Sequence, residues 1–216
     1  MLGPPGAGKG TQARLLSETL GFAHISTGDM LRTAIKGGTA DGLRAKSFIE
    51  AGLLVPDELV DSIVRERLRR PDCDRGFILD GYPRKLSQAE TFQKFLEQDD
   101  IHSHAIGLNI PDEVLIARLG SRWMCPNCNR TFCKDLSSGF LKGLCDKCNV
   151  PLIHRTDDAH EVIAARLKIY HEETEPLIRY YEERGMHIRI DGDQLPAKVF
   201  YAIRNAVEVR RKSAVA

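Results

Sequence analysis

The sequence predicts an α/β fold in which a mainly parallel β-sheet is covered by helices on both faces. Short apolar segments alternate with longer amphipathic segments along most of the 216 residues. A glycine-rich loop precedes the first amphipathic segment, and carboxylates end two of the apolar segments. Strands that alternate with helices form parallel sheets, whose ligands bind at the carboxyl ends of the strands.

The glycine-rich loop, residues 3–11, reads Gly-Pro-Pro-Gly-Ala-Gly-Lys-Gly-Thr. Its spacing of Gly3, four residues and Gly8-Lys9 is that of a phosphate-binding P-loop, although the hydroxyl of Thr11 comes one position late. The backbone N–H groups of such a loop and the N-terminus of the next helix attract phosphates. We expect nucleotide phosphates to contact Gly6, Ala7, Gly8, Lys9, Gly10 and Thr11. A glycine turn with an ordinary surface lysine is the alternative.

The strand that should lead into this loop is almost absent, since only Met1 and Leu2 precede it. We therefore expect a truncated first strand, a less stable sheet and a weakly anchored loop. A wrongly assigned start or a shortened chain is favoured over a protein that tolerates the loss.

Helices and strands alternate after the loop. Gly21 ends the first helix, the Gly37-Gly38 pair ends the second, and Pro56 occupies a favoured first-turn position. Helices are predicted at 11–20, 30–36, 40–51, 56–70, 86–98, 112–122, 161–184 and 196–211. Strands are predicted at 22–25, 76–80, 105–110 and 187–191.

A segment rich in cysteine interrupts this pattern between residues 122 and 158. Two Cys-x-x-Cys pairs, Cys125/Cys128 and Cys145/Cys148, have the spacing of a zinc site. Four thiolates fill a tetrahedral ion and leave no position for water, so the predicted role is structural. Disulfides, or a site that has lost its metal, remain the alternatives.

Composition limits the classes of function. With 42% hydrophobic residues the chain can bury one substantial core. Because 31 basic residues balance 30 acidic ones, nothing indicates a nucleic-acid or membrane partner. There is no apolar run long enough to cross a bilayer and no signal-like N-terminus, so we expect a cytoplasmic, soluble protein.

Several charged residues could serve a phosphate ligand. Asp80 ends an apolar segment and could hold magnesium through its water shell; a helix-capping role is the alternative. Six arginines come from separate elements and could surround a polyphosphate: Arg32, Arg84, Arg118, Arg122, Arg155 and Arg166. No pair of nucleophile and base stands out in the sequence. This agrees with phosphoryl transfer, which depends on positioning and charge neutralisation instead of covalent catalysis.

With these motifs the chain resembles the adenylate kinases of the bacterial type that carries a zinc lid. The resemblance covers essentially all of the chain. Four motifs support it: the loop at 3–11, Ile25-Ser-Thr-Gly-Asp-Met-Leu-Arg32, Phe77-Ile-Leu-Asp-Gly-Tyr-Pro-Arg84, and the paired cysteines followed by Arg155-Thr-Asp-Asp158. The late threonine is normal in that family.

The resemblance implies a three-layer core with two inserts. The core would span 1–25, 56–120 and 159–216, with a helical monophosphate-binding insert at 26–55 and a zinc lid at 121–158. The residues around AMP would be Thr27, Arg32, Leu53, Leu54, Val55, Gly81, Tyr82, Pro83, Arg84, Gln88, Arg155 and Arg166. Gln88 would read the adenine, because its amide both donates and accepts.

The resemblance also implies the donor half of the site and the reaction. Arg122, Thr131, Phe132 and Gln194 would contact ATP with the loop. Lys9 and the arginines at 84, 118, 122, 155 and 166 would neutralise the transferring phosphoryl group. The expected reaction is magnesium-dependent transfer from ATP to AMP, giving two ADP, by a monomer whose lid closes to exclude water.

Three other interpretations of the function remain open. A related kinase could use UMP or CMP as acceptor, or GTP as donor. A zinc-ribbon protein that binds nucleic acid would need a basic surface, whereas the net charge is +1. The third is an inactive homologue that lacks its first strand.

Overall fold

The computed structural model describes residues 1–133 and 143–213 of the chain. Among these residues the helices are α1 Lys9–Leu20, α2 Thr27–Lys36, α3 Ala40–Glu50, α4 Asp57–Leu68, α5 Leu86–Gln98, α6 Asp112–Gly120, α7 His160–Ile169, α8 Pro176–Glu182 and α9 Pro196–Ser213. The strands are β1 Ala23–Ser26, β2 Phe77–Asp80, β3 Ala105–Asn109, β4 Arg122–Met124, β5 Thr131–Cys133, β6 Ile153–His154 and β7 His187–Asp191. The predicted α/β class is confirmed.

Two parallel strand pairs, β1–β2 and β3–β7, form the main sheet on either side of a two-residue centre. The backbone N–H of Leu2 donates to the carbonyl of Ile106 at 2.7 Å, and Leu108 N–H donates to the Leu2 carbonyl at 3.0 Å. On the other side, the Met1 nitrogen donates to the Leu79 carbonyl at 2.8 Å. Met1 and Leu2 therefore lie between β2 and β3, at the centre of the sheet.

The register of the strands brings their carboxyl ends to one edge of the sheet. Ser26 lies beside Asp80 in the first pair, and Asn109 lies beside Asp191 in the second. The glycine-rich loop leaves the sheet at the same edge directly after Leu2. This edge is where a parallel sheet binds its ligands.

Two apolar clusters bury the sheet. One joins α1, α6, α7 and α9 to β3 and β7 through buried aliphatic side chains such as Leu115, Leu119 and Ile203. The other joins α2, α3, α4 and α5 to β1 and β2, with Ile25 and Val64 almost fully buried. Helices on both faces of a parallel sheet form the predicted three-layer arrangement.

Two predicted helix boundaries are wrong. The helix predicted at 112–122 ends at Gly120, because Trp123 and Met124 pair with β5 and β6 instead. Arg118 and Arg122 therefore do not share a helix face. The helix predicted at 161–184 is interrupted by a π-helical turn at Tyr170–Thr174 and restarts at Pro176, which has no N–H to donate to the preceding turn.

The lid contains a small antiparallel sheet in which β4 pairs with β5 and β6. Residues 134–142 of the predicted lid lie outside the described residues. Within the described ranges, no helix has the length and apolar character that a membrane span needs.

The packing of α2 on α3 gives a prediction about stability. A Cβ on Gly42 would lie 2.2 Å from the carbonyl oxygen of Ala34, so Gly42→Ala forces these two helices apart. We expect a loss of about 1–3 kcal/mol in the free energy of unfolding, measured by denaturant titration. Gly120→Ala is the control, because a Cβ there has no neighbour within 4 Å among the described residues. A loss at Gly42 no larger than at Gly120 would contradict the packing argument.

Candidate active site

A cavity of about 270 Å³ opens at the carboxyl edge of the sheet, between the glycine-rich loop and the segments predicted as the monophosphate-binding insert and the lid. Twenty of the predicted site residues line it: Gly6, Gly8, Lys9, Gly10, Thr11, Thr27, Arg32, Leu53, Leu54, Val55, Asp80, Gly81, Pro83, Arg84, Gln88, Arg118, Arg122, Thr131, Arg155 and Arg166. The fold thus brings together side chains that lie far apart in the sequence.

The loop presents backbone donors to this cavity. Gly8 is the N-cap of α1 and has no side chain that could accept hydrogen bonds from the first turn. The N–H groups of that turn therefore remain available to a ligand in the cavity. Gly8 also has a φ of 86°, which glycine adopts without strain. A Cβ on Gly10 would lie 3.0 Å from Asp80 Oδ2, which explains why glycine precedes the threonine here.

Lys9 is the cation of the loop. Its Nζ donates to the carbonyls of Gly3 and Pro4 at 2.7 and 2.8 Å. Burial lowers the pKa of Lys9 to about 7, and the opposing attraction of Asp80 offsets only part of this effect. A phosphate placed at the loop would favour the charged ammonium, so the site is built to take an anion.

Asp80 faces Lys9 from the end of β2. His24 on the neighbouring strand β1 places Nε2 3.8 Å from Asp80 Oδ2. Burial acts to raise the pKa of Asp80, but the nearby His24 ring and the charge of Lys9 outweigh it and lower the pKa to about 2. The carboxylate is therefore ionised, as a ligand for magnesium or its bound waters must be.

Two adjacent carboxylates at the base of the lid hold four of the arginines. Asp157 accepts from Arg155 through both oxygens and lies 3.3 Å from Arg166 and 3.9 Å from Arg32. Although burial opposes ionisation, these arginines hold the pKa of Asp157 far below its usual range.

The second of these carboxylates, Asp158, accepts from Arg122 through both oxygens and from Arg166 Nη1 at 2.8 Å. The two aspartates therefore tie the two ends of the lid to α7. They compensate the positive charge of the cluster, a role that was not predicted from the sequence. The sequence signal that could have indicated this role is the pair of adjacent acids, Asp157 and Asp158, close to Arg155.

The other predicted arginines reach the cavity from the core. Arg84 Nε donates to the carbonyl of Gly81 at 2.9 Å, and burial lowers the pKa of Arg84. Arg118 donates to the carbonyl of Gly192 and to Asp193, both at 3.2 Å. Within the described ranges, Arg32 Nε is buried without a hydrogen-bond partner, so a ligand could accept from it.

Polar side chains from α2 and α5 close the side of the cavity that faces residues 26–55. Thr27 Oγ1 donates to the carbonyl of Gly81 at 2.9 Å. Gln88 is buried on α5, where its Oε1 accepts from the backbone N–H of Arg84 at 2.8 Å and its Nε2 donates to Asp57 Oδ1 at 2.9 Å. Thr174, in the π-helical turn, donates to the Arg84 carbonyl at 2.8 Å and so holds the same loop from behind.

Comparison with known proteins identifies this combination of loop, arginines and cysteines. The family model described as adenylate kinase matches residues 1–186. The chain belongs to the adenylate kinase family. The protein named adenylate kinase in Thermoanaerobacter sp. (strain X514) is 42% identical over 213 residues, which cover 98% of each chain.

Two further relatives with the same name agree. The adenylate kinase of Desulfitobacterium hafniense (strain DSM 10664 / DCB-2) is 45% identical over 209 residues, 96% of each chain. That of Ruminiclostridium cellulolyticum is 48% identical over 186 residues, 86% of this chain and 87% of the relative. Membership of the adenylate kinase family makes this chain a phosphotransferase whose acceptor is a phosphate group.

Four residues that were predicted to contact nucleotide do not line the cavity. Ala7 packs into the core with α6, and the Tyr82 hydroxyl donates to Asp61 at 2.8 Å. Phe132 packs among the lid cysteines and Leu152, because only its neighbours in β5 face the cavity. Gln194 donates to Asp191 at 2.9 Å. Their contacts with nucleotide remain predictions.

The four lid cysteines form a cluster that fits a tetrahedral metal. Their Sγ atoms all lie within 4.8 Å of one another, and Cys128 and Cys145 are 3.7 Å apart. Zinc–sulfur bonds of about 2.3 Å place tetrahedral ligands about 3.8 Å apart. Each pair is a tight turn, since Asn129 and Asn149 donate to the carbonyls of Cys125 and Cys145 at 3.0 and 2.9 Å.

The buried pairing of Asp157 gives a prediction about stability and pH. Its pKa is depressed in the folded state, so its contribution is complete above the unfolded pKa of about 3.9 and is lost as the pH falls. We expect Asp157→Asn to cost about 1–3 kcal/mol at pH 7, and the cost to shrink towards pH 3.

Denaturant titrations at several pH values measure this cost. Asp41→Asn is the control, because its carboxylate is 53% exposed and lies 4.0 Å from Arg44. That substitution should change the free energy of unfolding by less than about 0.5 kcal/mol. An Asp157→Asn cost that is the same at pH 7 and pH 3 would refute the ion-pair explanation.

Proposed function

We propose that this chain catalyses the reversible, magnesium-dependent transfer of the terminal phosphoryl group of ATP to AMP, giving two ADP. One observation carries the proposal: a P-loop with its lysine and six arginines from the core, the monophosphate insert and the lid line one cavity. The positive side chains of this cavity match the negative charge of two phosphate chains. Its residues supply positioning and charge, which is what phosphoryl transfer needs.

The donor half of the proposed site is the P-loop and the lid. The backbone N–H groups from Gly6 to Thr11 bind the ATP phosphates, and Lys9 turns from its loop carbonyls to the β- and γ-phosphates. Arg118 approaches from the end of α6 and Arg122 from the start of β4, and Thr131 contacts ATP from β5.

The acceptor half is the monophosphate insert. Arg32 and Arg84 bind the AMP phosphate, with the unpartnered Nε of Arg32 as one donor. Thr27, the segment from Leu53 to Val55 and the turn from Gly81 to Pro83 enclose the nucleoside. Gln88 reads the base, and Arg155 and Arg166 bridge both phosphate chains from the lid side.

Asp80 is the residue that we assign to magnesium. When bound, magnesium neutralises the β- and γ-phosphates and orients them for in-line displacement. Asp80 is ionised and lies at the loop, next to Gly10, so it can hold the water shell of the ion. His24 on β1 lies beside this carboxylate, with its Nε2 3.8 Å from Asp80 Oδ2.

The lid excludes water that would otherwise attack the phosphoryl group. Cys125, Cys128, Cys145 and Cys148 are the residues that would hold zinc, which would stiffen this small insert together with the apolar contacts of Phe132 and Leu152. We also propose that the protein acts as a monomer in the cytoplasm, on ATP, AMP and ADP as its partners.

A panel of nucleotides tests the proposed reaction. Turnover is followed as ADP formation, with ATP or GTP as donor, AMP, UMP or CMP as acceptor, and magnesium present or absent. We expect ATP with AMP and magnesium to give a kcat/KM at least about tenfold above every other pair. Preference for a pyrimidine monophosphate, or no turnover with any pair, would refute the proposal.

Lys9→Met should abolish most of the activity without unfolding the protein. The variant keeps the side-chain length but loses the charge that stabilises the transferring phosphoryl group, so we expect kcat to fall by about 10²–10³. The measurement is the ADP-forming assay, with circular dichroism to confirm the fold. Lys94→Met, on the exposed face of α5, is the matched control. A kcat for Lys9→Met within about fivefold of the parent would contradict the assignment.

Removal of the lid metal should lower thermal stability and leave the arginines in place. We expect a lower melting temperature after chelation, and recovery when zinc is added back, because the ion would link the two cysteine pairs on which this small insert depends. Metal content is measured together with the melting curve. An unchanged melting curve in protein that has lost its metal and keeps four reduced cysteines would show that the ion has no structural role.

A further inference from the structure

We propose that Asp57 is a specificity-determining positioning residue: its carboxylate fixes the Gln88 amide in the orientation that matches adenine and rejects a 6-oxopurine. The inference rests on the proposed role of Gln88 in reading the base. Asp57 is the first residue of α4, and it is not among the residues that line the cavity. It therefore acts through Gln88 and not by contact with the nucleotide.

The Gln88 side chain is held by one partner on each side of its amide. Only 3% of the residue is exposed. The Arg84 backbone N–H at 2.8 Å from Oε1 can only donate, and the Asp57 carboxylate oxygen at 2.9 Å from Nε2 can only accept. This hydrogen-bond network assigns the amide oxygen and nitrogen, since a reversed amide would face donor with donor and acceptor with acceptor.

The fixed amide has one acceptor site and one N–H left for a ligand in the cavity. The edge of adenine offers the complementary pair, an amino group that donates and a ring nitrogen, N1, that accepts. A 6-oxopurine such as hypoxanthine offers the reverse, a carbonyl that accepts and an N1–H that donates. A buried site made to bond one pattern rejects the other strongly, because its polar groups would be left unpaired.

Asp57 is itself held in position by two neighbours from the start of α5. Ser87 Oγ donates to Asp57 Oδ2 at 2.8 Å, which leaves Oδ1 for Gln88. Lys85 Nζ lies 3.6 Å from Oδ1. A carboxylate in the first turn of a helix also stabilises that helix, so a purely structural role must be separated by experiment.

The experiment compares AMP with inosine monophosphate as acceptor, with saturating ATP and magnesium, in Asp57→Ala, Asp57→Asn, Gln88→Met and Glu58→Gln. For Asp57→Ala we expect the KM for AMP to rise about five- to tenfold, with kcat and the KM for ATP within about twofold of the parent. The preference for AMP over inosine monophosphate, as a ratio of kcat/KM values, should fall about tenfold.

The other variants separate the explanations. Asp57→Asn keeps the shape of the side chain and can present its oxygen to Gln88, so it should retain part of the preference and serves if the alanine variant does not fold. Glu58→Gln, an exposed acid in the same helical turn, should keep the whole preference. If the preference is unchanged in Asp57→Ala but lost in Gln88→Met, the role of Asp57 is refuted, while base reading by Gln88 stands. A preference unchanged in Gln88→Met would refute base reading by Gln88, and the inference with it.

Discussion

Compensation of buried positive charge is the constraint on which the rest of this structure depends. Lys9 and the arginines of the cavity would repel one another and lose their hydration if nothing balanced them. Asp80, Asp157 and Asp158 supply that balance at the loop and at the base of the lid. Substrate phosphates offer the same cations a second set of acceptors, so the cluster can exchange partners while its net charge stays compensated.

The fold meets this constraint by bringing distant segments to one edge of a parallel sheet. The loop, Asp80 and the turn that carries Arg84 all follow strand ends, and the lid joins the core next to α6 and α7. Three hydrogen bonds join Met1 and Leu2, which precede the loop, to β2 and β3. Thr174 fixes the Arg84 turn from behind, which gives the π-helical turn a role at the site.

Much of this could be predicted from the sequence, since local signals decide it. Helix and strand periods, glycine stops and the spacing of the cysteines place most elements, the cavity edge and the metal cluster. Tertiary contacts decide the rest. Arg122 fits the period of α6 but belongs to a strand, because its neighbours pair with β5 and β6. The compensating role of Asp157 depends on arginines from three segments, and the inward packing of Phe132 depends on the metal cluster.

The central claim is that this cluster moves a phosphoryl group between two nucleotides with water excluded. The most direct test is phosphorus NMR of the protein with magnesium and ADP as the sole nucleotide. The account predicts that ATP and AMP appear in equal amounts at equal rates, with no accumulation of inorganic phosphate. Inorganic phosphate as the main product, or ADP that persists unchanged, would contradict it.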